Sequence, residues 1–114
     1  VRVLFDQGTP VPLRRALPLH AVETAFERGW STLTNGDLLS AAEDDGFEVF
    51  VTTDTNLRYQ QNLGERKIAI VVLLTTSWPR IRAVAERVAN AVDGTVAGGY
   101  VEVEIPLDGD ELGG

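Results

Sequence analysis

The run IAIVVLL, residues 68–74, constrains the fold more than any other stretch of the chain. Seven consecutive apolar residues, most of them β-branched or leucine, leave no polar face for solvent. The run is too short to cross a bilayer, where about 20 residues are needed. Such a segment is a strand buried on both sides, and strands of that kind belong to parallel sheets covered by helices on each face. The rest of the chain supplies those helices. Strands are expected at 1–5 (VRVLF), 20–26 (HAVETAF), 48–53 (EVFVTT), 68–74 and 99–105 (GYVEVEI), the last alternating as an edge strand does. Between them, 11–17, 34–46, 54–64 and 77–94 read as helices. Pro12 is tolerated in the first turn of one, and Gly46, Gly64 and Gly94 stop the others. Residues 27–33 read as a loop. In the helix over 77–94, Ile81, Val84, Ala85, Val88 and Val92 share one face.

Strand–helix alternation along the whole length predicts an α/β class fold: a three-layer α/β/α sandwich on a mostly parallel sheet of about five strands. At 114 residues the chain fits one domain, taken as residues 1–105, with an acidic, glycine-rich tail over 106–114 expected to be frayed. There is no cysteine, so disulfides, a thiolate nucleophile and Cys-based zinc sites are excluded. That usage suits the cytoplasm. The first residues lack the long apolar core of a secretory signal, and no run suggests a membrane span. The formal net charge of −7 argues against coating a nucleic acid through phosphate neutralisation, which needs a basic surface. Processing a nucleic acid through a bridging metal ion stays open, as does a basic partner.

In an open parallel sheet the C-terminal ends of the strands share one edge, and ligands bind where the strand order reverses. Asp6 and Asp54 each follow a strand at that edge, and Asp37 begins the helix leading into the third strand. Three carboxylates gathered there would repel one another by roughly 3 kcal/mol per pair at about 5 Å and an effective dielectric near 20. A helix cap contributes only about 1 kcal/mol, so convergence would call for a cation. Carboxylates without His or Cys select Mg²⁺ or Mn²⁺, which activate water and stabilise charge building on phosphate oxygens. Each acid also has a structural reading. Thr34 and Asp37 have capping-box spacing, Asp54 can cap the helix after it, and Asp6 can serve its Gly-Thr-Pro turn.

His20 reads as a strand-entry residue, Trp30 and Trp78 as packing, and Glu43, Asp44 and Asp45 as a solvated helix end. Around Asp54, Tyr59, Gln60, Gln61 and Asn62 form an unusually polar helix that is either solvated or in contact with substrate. Arg14, Arg15 and Arg58 follow strands one and three and are expected to face the same edge and draw phosphate in. A receiver-like phosphoacceptor is set aside, because LLTTS (73–77) carries no lysine.

Three blocks, LFDQGTP (4–10), NGDLLSAAE (35–43) and FVTTDTNLRYQQNL (50–63), resemble in order and spacing the small bacterial PIN-like domains, a branch related to PIN-type toxin nucleases. The likeness extends over about residues 2–103. It implies an α/β/α sandwich whose acids hold Mg²⁺ or Mn²⁺ and cleave RNA, with Asp6, Asp37 and Asp54 as the catalytic metal ligands. Asn35, Thr52, Asn56, Arg58, Gln60, Gln61, Arg14 and Arg15 would supply outer-shell or substrate contacts. Where many PIN nucleases have a fourth acid, this chain has Asn56, which leaves a one-metal or degenerate site open. The resemblance also implies RNA as substrate and a small antitoxin-like protein as partner; a homodimer stays open. The alternative is a binding or regulatory module that keeps the sandwich without the chemistry.

Overall fold

The computed structural model describes residues 1–60 and 62–106. Five strands, β1 (Arg2–Phe5), β2 (Ala21–Thr24), β3 (Val49–Thr52), β4 (Ala69–Leu73) and β5 (Tyr100–Val103), form one sheet in the order β2-β1-β3-β4-β5, and every pairing is parallel. Sequence character follows place in the sheet. All residues of β3 and β4 are buried, as are the last three of β1, and these are the interior strands. β2 and β5 are half exposed and lie at the two edges, as the alternation in GYVEVEI requires.

The pleat sends alternate residues to two cores. Val3, Phe5, Val49, Val51, Val71 and Leu73 face one layer. That layer holds Leu13 and Leu17 from the β1–β2 connection, Ile81 from α3 (Trp78–Ala83), and Val88 and Val92 from α4 (Ala85–Asp93). Leu4, Phe50, Ile70 and Val72 face the other layer, where α1 (Asn35–Asp44) contributes Leu38, Leu39 and Ala42 and α2 (Leu57–Gln60) contributes Leu57. The architecture is therefore the three-layer sandwich. Trp30 and Trp78 pack against one core each. Among the described residues no helix is long and apolar enough to cross a membrane.

Several local expectations are corrected. The short helix expected over 11–17 is present over 11–16 and is of the 3-10 type, with Pro10 and Pro12 bracketing its start. The helix expected over 54–64 shortens to α2 plus a 3-10 turn at Leu63–Glu65. The long helix over 77–94 breaks at Val84 (φ −128°, ψ 32°) into α3 and α4. Neither glycine nor proline marks that break. Arg80 of α3 donates to the carbonyls of Ile105 and Pro106, and Arg87 of α4 to that of Glu104, so both pieces are tied to the chain leaving β5. Of the tail expected over 106–114, only Pro106 lies within the described residues.

At the acidic helix end Asp44 is exposed, as a solvated face requires, but Glu43 and Asp45 are not free. Glu43 accepts from Arg66 Nη1 (2.9 Å), the Lys67 N–H (2.6 Å) and the Ile68 N–H (3.1 Å), fixing the entry to β4. Asp45 receives both Arg2 (2.8 Å) and Arg28 (2.7 Å), which also lie over the rings of Phe47 and Trp30 respectively. His20, just ahead of β2, pairs through Nε2 with Asp93 at 2.6 Å.

Candidate functional site

The connection after β1 lies on one face of the sheet and α1 on the other, so the strand order reverses between β1 and β3. Neighbouring strands there lead away from each other and leave a crevice at their C-terminal ends. Asp6 is the first residue past β1, and Asp54 follows β3 by two. Both are half-buried.

Asp6 is fixed from three sides. Its backbone N–H donates to the Val51 carbonyl (3.1 Å), and its carbonyl accepts from the Thr9 N–H (3.2 Å), closing a four-residue turn. The buried hydroxyl of Thr9 donates to Oδ1 (2.6 Å), and that of Thr52 donates to Oδ2. Gly8 suits this turn, because a Cβ there would lie 2.5 Å from Thr53 Oγ1 and force that hydroxyl or the turn to move. Asp54 is held by a parallel set of neutral donors: the Asn56 N–H to Oδ1 (2.9 Å) and the Asn35 side-chain amide to Oδ2 (2.8 Å). Its own N–H donates to Thr52 Oγ1 (3.0 Å). One threonine hydroxyl therefore links the two aspartates, donating its single proton to Asp6 and accepting from Asp54.

Burial raises the Asp6 carboxyl above the ordinary aspartate value; the hydroxyls of Thr52 and Thr9 oppose this, and the negative charge of Asp54 adds to it. The two acids are thus near enough to feel each other. Among the described residues neither forms an ion pair with any Lys, Arg or His.

The third expected acid does not join them. Asp37 is exposed, and its N–H donates to Thr34 Oγ1 (3.3 Å), which realises the capping reading. No three acidic or histidine side chains among the described residues are grouped to hold one ion. The physical reason lies in α1. Its first turn points Asn35 at Asp54, and residues two apart on a helix do not face each other.

The three arginines are placed differently from one another. Arg14 is bound to Glu27 (2.7 Å) in the wall beside Asp6. Arg58 turns toward β5, donating to the Tyr59 hydroxyl (2.7 Å) and lying 3.5 Å from Glu102. Arg15 and Gln60 are exposed, and Gln61 lies outside the described residues. Thr9, which the sequence reading passed over, proves as intimate a partner of Asp6 as Thr52. Its signal was present in D-Q-G-T, a hydroxyl three residues past an aspartate in a glycine turn.

The donor set suits a hard divalent cation. Each of the four carboxylate oxygens uses one lone pair on a neutral donor and keeps another, and among the described residues neither acid is paired with a cationic side chain. Mg²⁺ is commonly bound through one or two carboxylates with water and phosphate completing the shell. The chain matches no family model, no curated protein and no solved structure.

Proposed function

We propose that the protein hydrolyses phosphodiester bonds in RNA with the help of one Mg²⁺ or Mn²⁺ ion held by Asp6 and Asp54. The observation that supports this reading most is the adjacent pair of carboxylates at the strand-order reversal, oriented by hydroxyl and amide donors and paired with no cation. A bound divalent ion would supply an activated water and electrostatic stabilisation of the phosphate as charge develops. The chain's own residues set the geometry. Thr9 and Thr52 hold the Asp6 carboxylate in one orientation, and Asn35 and Asn56 hold that of Asp54, as outer-shell partners commonly do for metal ligands. Asp37 is exposed at the start of α1, which favours a one-ion site.

Calorimetric titration with Mn²⁺ and an RNA cleavage assay test the proposal together. Wild type should bind the ion and cleave, Asp54→Ala should lose both, and Asp37→Asn should retain metal binding. No heat and no cleavage in wild type would refute it.

The exposed position of Asp37 and the uncharged Asn56 favour a second reading, a binding module that has kept the sandwich and lost the chemistry. Its partner would be a basic or amphipathic protein of the antitoxin kind. Binding to such a partner should survive replacement of Asp6, Asp37 and Asp54 together by asparagine, and loss of binding would end this version.

A further inference from the structure

The first turn of α1 carries the amide that holds Asp54, yet it is the least anchored part of that helix. Asn35 shares a face with Leu38, Leu39 and Ala42, at the spacing of a buried helical stripe, but the buried apolar side chains begin only at Leu38. Ahead of it stand Asn35, Gly36 and Asp37, none of which puts an apolar side chain into the core. Gly36 is moreover a poor helix former. The Thr34 hydroxyl receives the Asp37 N–H at 3.3 Å, long for a bond of that kind.

One guanidinium makes up the deficit. Arg66, just ahead of β4, donates from Nη2 to the Gly36 carbonyl (3.2 Å) and from Nη1 to Ser40 Oγ (2.9 Å) and Glu43 Oε1 (2.9 Å). Positions 36, 40 and 43 form a single row along a helix. Arg66 therefore straps α1 from its first turn to its last. The strap is itself fixed, with its side chain only 20% exposed. The Arg66 N–H donates to the Leu63 carbonyl (3.1 Å), and Glu43 Oε2 receives the N–H groups of Lys67 and Ile68. A planar guanidinium fork can span these acceptors together; a compact ammonium on a flexible stem cannot.

We infer that Arg66 is a positioning residue of the Asp6–Asp54 site. By holding the Gly36 carbonyl it sets the first turn of α1, hence the direction of the Asn35 amide and the orientation of the Asp54 carboxylate bound to that amide at 2.8 Å. Among the described residues its guanidinium bonds to α1 and to neither aspartate. The inference rests on the proposed metal reading and adds to it a residue that precedes β4, whereas the two acids follow β1 and β3.

The experiment compares wild type with Arg66→Ala, Arg66→Lys, Asp54→Ala and Val88→Ala. Val88 is buried in the core on the other face of the sheet, so its truncation lowers stability without reaching α1. The thermal midpoint and the Mn²⁺ affinity by calorimetry are measured on folded protein. The NMR signals of the Asn35 side-chain amide are followed without metal, with Asp54→Ala marking their unbonded position. Arg66→Lys keeps a positive charge for Glu43 and should melt close to wild type. Its Mn²⁺ affinity should nonetheless fall about tenfold, the lower end of the range for losing an outer-shell partner, and its Asn35 signals should move toward those of Asp54→Ala. Arg66→Ala should show the same two changes and melt lower as well. Val88→Ala should melt lower with wild-type affinity and signals. If Arg66→Lys keeps wild-type affinity and Asn35 signals, Arg66 only stabilises the fold; the inference is then wrong and the metal site stands. An equal loss of affinity in Val88→Ala overturns it too, because any loss of stability would suffice. If wild type binds no Mn²⁺, the metal reading falls and this role with it.

Discussion

Two acidic regions of the same molecule treat carboxylates in opposite ways. At the far end of α1, Glu43 and Asp45 are each met by guanidinium groups, from Arg66 and from Arg2 and Arg28. Burial would raise Glu43, but Arg66 and the Lys67 and Ile68 N–H groups hold it below the ordinary glutamate value; Arg2 foremost holds Asp45 below its own. At the strand-order reversal, among the described residues, the carboxylates of Asp6 and Asp54 meet hydroxyls, an amide and a backbone N–H, and Asp6 moves upward instead. Where a carboxylate ties elements together, this chain supplies arginine. Where two carboxylates share one threonine hydroxyl, it supplies neutral donors instead, an arrangement that suits the proposed cation.

The comparison is broken or sharpened most strongly at Glu43. Glu43→Ala removes the Arg66 partner and leaves the N–H of buried Ile68 at the entry to β4 without its acceptor, while water can reach that of exposed Lys67; an unmade buried bond costs about 1–3 kcal/mol. A loss of roughly 3 kcal/mol is expected in urea unfolding. The pH dependence has a definite sign. A carboxyl lowered in the folded state contributes stability above its unfolded value, which is 4.5 for Glu43, and that contribution disappears as pH falls through the lower folded value. The difference between wild type and Glu43→Gln should therefore shrink on acidification.

Gly8→Ala comes next. The added methyl collides with Thr53 Oγ1, and relief by shifting the turn should lower stability by about 1–3 kcal/mol and displace Asp6. Both thermal midpoint and Mn²⁺ affinity should fall, and unchanged affinity would mean that the turn does not set the aspartate. Thr34→Ala removes the cap on α1 and should lower stability by about 1 kcal/mol; Asp37→Asn, at an exposed position, should be nearly silent in the same melting experiment.

The smallest expected change has the opposite sign. Asp6→Asn removes a charge that burial and Asp54 disfavour. The Thr9 hydroxyl lies 3.0 Å from the Val51 carbonyl and can turn to it, accepting from the new amide. A carboxyl raised in the folded state contributes stability that is present below its unfolded value, 3.8, and is lost as pH rises through the folded value. The variant should accordingly melt slightly higher than metal-free wild type at neutral pH, with the gap closing toward acid and reversing when Mg²⁺ is added. A variant that melts lower at every pH would place Asp6 with Asp45 among the structural acids.

The fold was largely legible because burial on two faces leaves little freedom: IAIVVLL can only be an interior strand, and GYVEVEI only an edge. The placement of Asp6 and Asp54 followed from the same reasoning, since residues just past two parallel strands share an edge. Legibility ended where side-chain direction decides. That α1 aims Asn35 at Asp54 depends on the rotation of one helix, and that Arg58 turns to Glu102 depends on β5, 42 residues further on. The break at Val84 has no local signal. The EDD run resembles a solvated helix end because its partners, Arg2, Arg28 and Arg66, are supplied by distant segments.

The central claim is tested most directly by the carboxyl carbon of Asp6 followed by NMR through a pH titration, with and without Mg²⁺. Its midpoint should lie above 3.8 in the metal-free protein, move down in Asp54→Asn, and move down further in wild type when Mg²⁺ is present. A midpoint at the ordinary aspartate value that responds neither to Asp54 nor to Mg²⁺ would contradict the paired site.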